Sequence, residues 1–148
     1  MLDTLNGLYQ RDLNRLKGEI EAYQSEAAMW QLSDGITNSG GNLCLHLVGN
    51  LKTFVGLNLG GFAYKRDREF EFAGKDVARA TLLQQVDETI KIVSQTLVKL
   101  KGRDLTEDYP FDHWPGKPSI ERALIHLAMH LSYHLGQINY HRRMLDKD

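Results

Sequence analysis

A single cysteine, Cys44, excludes any intramolecular disulfide, and its neighbours Leu43, Leu45 and Val48 mark it as a small buried residue in a reducing compartment. The chain lacks any apolar run of transmembrane length. Its N-terminus, MLDTLNGLYQRDLNRLKGEIEAY, carries charge from Asp3 onward and has no signal-peptide core, so a cytoplasmic protein with no membrane partner is expected. Charge of one sign is missing as well: 18 Lys and Arg against 19 Asp and Glu leave a net charge of −1. Nothing therefore steers the chain toward nucleic acid or an anionic lipid surface, and a small-molecule partner is the expectation. Repeats at a fixed period and low-complexity tracts are absent. Proline is scarce, and all three residues fall between Arg103 and Pro118.

What is present is helical periodicity. At 148 residues one domain, residues 1–148, is expected, and a bundle of that length buries roughly two-thirds of its unfolded surface. Tyr9, Leu13, Leu16, Ile20, Tyr23, Ala27 and Trp30 recur at alternating steps of four and three, which predicts one long helix with Trp30 on its face. Ser33, Asp34 and Gly35 break it, and Asn38 or Ser39 is placed to cap the next helix. That helix carries Leu43, Leu47, Asn50, Phe54 and Leu57 on one seam, with Cys44, Val48, Leu51 and Val55 beside them. Residues 58–79 change character and read as a long connection. Leu83, Val86, Ile90, Val93, Leu97 and Leu100 form the third seam, ending at Gly102. A second connection, Arg103–Pro118, leads to a last helix capped by Ser119, with Ile120, Leu124, Leu127, Leu131, Ile138 and Leu145 on its seam. An all-α fold is expected: a four-helix bundle with two long crossover connections.

The gaps in the last seam are His134 and His141. Written as heptads, the helix has Leu124, Leu131, Ile138 and Leu145 at a, and Ile120, Leu127, His134 and His141 at d, so His134 points inward. His130 falls at the adjacent g position one turn earlier, and two imidazoles at i and i+4 can converge on one metal at roughly 2.0–2.1 Å each. His126, at c, is turned outward and is the weaker candidate. His46 is the only histidine of the second helix, and a facing helix is the usual source of a third ligand. A lone core histidine is more often a hydrogen-bonded structural residue than a ligand. Three on seam faces, two of them one turn apart, favour the metal, because unpaired buried imidazoles are costly. Three imidazoles suit Zn, Ni, Cu or Fe(II) and leave a position open for an exogenous ligand. Asn50 and Gln137 are expected beside the site. His113 and Trp114 are placed to reach its mouth, and no general base stands out. Asp67 and Glu69 lie in the first connection, where charged residues are usually solvated.

The segment His130-Leu-Ser-Tyr-His134-Leu-Gly136-Gln137-Ile138 resembles the HxxxHxGQI signature on the last helix of DinB-like proteins. These are bacterial four-helix bundles that include bacillithiol transferases and thiol-dependent maleylpyruvate isomerases. Asn38 to Leu51, around His46, and Tyr64 to Phe70 resemble one branch of that superfamily that has no assigned activity. The resemblance places the metal triad on His46, His130 and His134 and implies an up-down-down-up bundle, a homodimer, and zinc or nickel. It implies a metal-dependent transferase of a low-molecular-weight thiol of the bacillithiol type, or a hydrolase acting on a small molecule. The alternative is a non-catalytic, metal-containing bundle that binds a small molecule or serves a stress response.

Overall fold

A computed structural model describes residues 1–147; Asp148, the last residue of the expected domain, lies outside them. The described residues are all-helical. They contain no strand, only an isolated bridge between Asp108 and Ser119, and no helix long and apolar enough to cross a membrane.

Helix α1 spans Leu2–Ala22 and buries Leu5, Tyr9, Leu13, Leu16 and Ile20, the face that the periodicity marks. It stops eight residues short of Trp30. The backbone N–H groups of Gln24 and Ser25 donate to the Asp146 carboxylate, at 2.6 and 3.3 Å, instead of to carbonyls one turn back. After this break a short 3-10 turn, Ala27–Trp30, buries Ala28, Met29 and Trp30 and leaves Ala27 exposed. The indole of Trp30 lies so close over Gly41 that a β-carbon there would sit 2.7 Å from the ring.

Helix α2, Gly40–Leu51, opens on Ser39, whose hydroxyl accepts from the Asn42 N–H. All twelve of its residues are buried, which makes it the central helix. It continues through a π-helical stretch, Lys52–Leu57, into a closing turn, Asn58–Gly60. The wider turn shifts the phase of everything after Leu51, and Leu57, expected on the seam, is 37% exposed. The first connection is not structureless: a six-residue helix, α3 (Arg68–Ala73), starts at Asp67, whose carboxylate accepts from the Phe70 N–H. Helix α4 covers Arg79–Lys99 and buries Leu82, Val86, Val93 and Leu97; Gly102 follows in the left-handed region. Helix α5, Ile120–Leu145, is capped by Ser119 and buries its a positions Leu124, Leu131 and Ile138.

Side-chain bonds record how the long helices meet. Between α1 and α4 they join Asn6 to Ser94, Gln10 to the Ile90 carbonyl and Lys17 to Asp87. Between α1 and α5, the Tyr9 hydroxyl donates to the Leu124 carbonyl, and Glu19 holds Asn139 and Arg142. Lys52 of the π stretch pairs with Glu88, and Lys99 reaches the Gly60 carbonyl.

Candidate metal centre

His46 sits in the buried middle of α2, and His130 and His134 lie one turn apart on the facing side of α5. Their ligand nitrogens lie within 4.8 Å of one another, close enough to hold a metal ion. The Nε2 atom of His130 is 3.1 Å from the Nε2 of His46 and 3.1 Å from the Nε2 of His134. Two nitrogens each bound at about 2.0–2.1 Å to one cation, with bonds near a right angle, are separated by about 3 Å, so this spacing fits.

The outer nitrogens decide where the protons are. His46 Nδ1 lies 3.0 Å from a Glu71 oxygen, and His134 Nδ1 lies 2.6 Å from the Gln137 amide oxygen. Both partners accept, and Glu71 lies nearer His46 Nδ1 than the Arg66 Nη2 donor at 3.4 Å, so both rings carry their proton on Nδ1 and turn a lone pair inward on Nε2. His130 alone can bring a proton to the centre, and that one N–H faces two lone pairs. His130 Nδ1 is itself buried without a partner. Three inward nitrogens sharing at most one proton form a poor hydrogen-bond cluster and a good cation site. Burial, reinforced by the neighbouring imidazoles and Arg66, holds His130 down to about 4, and burial likewise lowers His134. Both rings are therefore neutral, ligand-ready bases at neutral pH.

The residue that orients His46 is Glu71 of α3. Its carboxylate receives two N–H groups of Arg66, Nε at 2.7 Å and Nη2 at 2.8 Å, a bidentate clamp in the side-on arrangement. Burial pushes the Glu71 carboxyl up, but the hydrogen bonds from His46 and Arg66 outweigh it and leave the group below its usual range. Gly49 makes room for it: a β-carbon there would lie 2.0 Å from a Glu71 oxygen. The first connection thus reaches the site through Glu71, while Asp67 and Glu69 stay in solvent, as expected of a charged run. Asp67 caps α3 and Glu69 is exposed. The usable signal was a glycine three residues after His46, which opens α2 to an incoming side chain.

A family model described as "Protein of unknown function (DUF1572)" matches residues 3–148. The chain belongs to the DUF1572 family. No curated protein and no solved structure matches it.

The match takes in every residue of the triad, together with Glu71 and Arg66. The remaining histidines of this DUF1572 chain fall outside the cluster. His126 is exposed and packs edge-on against Trp114 at 5.5 Å, and His113 is exposed beside Phe111. His141, the other d-position histidine, is a structural residue. Its Nε2–H donates to the Gln31 carbonyl at 2.8 Å, and its Nδ1 accepts from the Tyr23 hydroxyl at 2.7 Å. Cys44 is fully buried, and burial pushes its thiol up to about 12, which leaves it inert as a nucleophile. Asn50 lies one turn beyond His46 and lines a pocket of about 450 Å³ that opens from the triad. Gln137 touches the site only through His134.

Proposed function

We propose that this DUF1572 protein is a cytoplasmic DinB-like enzyme that holds zinc or nickel on His46, His130 and His134. The reaction we assign is transfer of a low-molecular-weight thiol, of the bacillithiol type, to a small electrophile. The observation that carries the metal is the meeting of three Nε2 atoms with at most one proton among them. When bound, such a cation supplies an open position and enough positive charge to make a thiolate from a thiol at neutral pH.

The chain's own residues favour a thiol over water as nucleophile. Among the described residues no Asp or Glu lines the pocket, and Glu71 is committed to Arg66 and His46. Activating water generally calls on such a base, whereas a thiol is close to ionising by itself. In the transfer, the thiolate sulfur forms a bond to an electrophilic carbon, the leaving group departs with its electron pair, and the thiol proton passes to solvent. Glu71 holds His46 in the correct tautomer.

The same lack of a carboxylate base favours, as a second reading, a bundle that captures a small molecule without turning it over. Conjugation of bacillithiol to an aryl chloride, followed with metal-loaded and chelator-stripped protein, separates the two. Metal-dependent loss of chloride supports the transferase; binding without turnover supports capture. Metal analysis of protein purified without an affinity tag tests both, since a metal-free preparation that takes up no Zn or Ni ends them together.

The up-down-down-up bundle with two crossovers also belongs to this reading. It is supported by the order of the inter-helix bonds, which advance together between α1 and α5 and in opposite senses between α1 and α4. A homodimer is part of it too. The aromatic residues Tyr9, Tyr23 and Trp30 of the first seam are covered within the chain. The uncovered apolar surface is instead the outer face of α5.

A further inference from the structure

The pocket that leaves the triad has a chemistry of its own. Its floor is one face of α2 and of the π-helical stretch that continues it, where His46, Asn50 and Phe54 follow at four-residue steps over about 12 Å. The far wall comes from the proline-containing connection, where Phe111 and Trp114 stand edge-on to Phe54 at 5.6 and 5.3 Å. Rings packed edge-on in this way leave no gap between them and present one continuous aromatic wall, against which a flat apolar body can lie.

The rim is basic. Arg66 and Arg68 both line the pocket, and among the described residues no carboxylate does. The bonds of Arg66 to Glu71 use Nε and Nη2 and leave its Nη1 hydrogens free of that clamp. Arg68 makes no ion pair among the described residues; its guanidinium rests over the Phe72 ring at 5.5 Å. Asn50, 8% exposed, forms part of the floor between His46 and Phe54.

We infer that the pocket binds a small organic anion with a flat, unsaturated or aromatic body, its charge met by Arg68 and its body laid against the aromatic wall of Phe54, Phe111 and Trp114. The inference rests on the transferase reading only in naming this molecule as the electrophilic substrate; the binding itself needs no metal.

The test is calorimetric titration of the full chain with three probes: trans-cinnamate, its neutral amide, and hexanoate, an anion with no ring. Chelator-stripped protein is the decisive sample, because a bound cation would attract a carboxylate by itself. We expect cinnamate to bind at least tenfold more tightly than either comparison probe. Arg68→Ala is expected to reduce the preference for cinnamate over its amide to less than threefold, and Arg68→Lys to retain most of it. Arg68 is exposed, so circular dichroism should show both variants folded. Equal affinity for acid and amide in stripped protein, or an unaltered preference in Arg68→Ala, overturns the inference. Protein that takes up no metal yet discriminates the probes this way refutes the metal site and leaves the pocket assignment standing.

Discussion

Removing one imidazole from the centre should cost more than removing an imidazole near it. His130→Ala and His134→Ala are expected to lower zinc affinity more than 100-fold in a competition titration, and His126→Ala, on the pocket wall outside the cluster, less than threefold. Glu71→Gln keeps an acceptor for His46 but loses the charge that Arg66 clamps, so a loss of about 10–100-fold is expected, the range for partners that orient a ligand. The pH response of the stripped chain follows from His130. Its folded value is held down to about 4 by burial and neighbouring imidazoles, while the ordinary value is 6.5. Above pH 6.5 both folded and unfolded chains leave it neutral, and stability is complete. Below that, the unfolded chain takes up a proton that the folded one refuses, so stability falls until about pH 4. The lowering of His134 acts in the same direction. Melting temperatures of stripped protein should fall between pH 7 and 4, less steeply in His130→Leu. Bound metal competes for the same nitrogens, so the gap between loaded and stripped protein should be widest near pH 7.5 and narrow sharply toward pH 5. The triad was legible because heptad phase turns d and g toward the core. Glu71 was not, because a six-residue helix inside a connection has too few turns to declare a face.

The elements differ in how firmly the chain declares them. The seams of α4 and α5 end where Gly102 and Ser119 say they should, because a cap and a left-handed glycine act locally. The end of α1 depends on Asp146, more than a hundred residues away, and no local pattern reports a carboxylate arriving from the other terminus. The joint between α2 and α3 turns on one hydrogen atom. Gly49→Ala would place a methyl 2.0 Å from a Glu71 oxygen, so the carboxylate must leave its place between His46 and Arg66. We expect a loss of about 1–3 kcal/mol in urea unfolding together with weakened metal binding. Gly7→Ala, in the interior of α1 with nothing within 4 Å of the new methyl, serves as the control. It should stabilise by about 0.5–1 kcal/mol and leave metal affinity unchanged.

At the scale of the whole molecule the open question is what lies against α5. Ile125, Met129, Tyr133, Tyr140 and Met144 form one stripe along its outer side, with Met129 67% and Tyr133 65% exposed, and Leu8 of α1 adjoins it. A monomer seldom leaves so long an apolar stripe in water, and a second copy offers a matching one across a two-fold axis. Light scattering should therefore give twice 16.9 kDa, and Met129→Lys combined with Tyr133→Lys should return the single-chain mass. A wild-type mass of 16.9 kDa at every concentration rejects the homodimer. The π-helical stretch carries a different kind of consequence, concerning how the chain tolerates changes in length. Six residues at the wider pitch lag an ordinary helix by about one residue's rotation, which is the mark left by one inserted amino acid. Deleting a single residue from Lys52–Leu57 should therefore let the helix close into regular α form, a milder change for folding than a deletion within Gly40–Leu51. The closure would bring Leu57 back toward the interior. It would also re-aim Phe54 and withdraw the carbonyl that the Tyr109 hydroxyl holds at 2.6 Å, leaving a folded chain whose aromatic wall no longer lines up with its histidines.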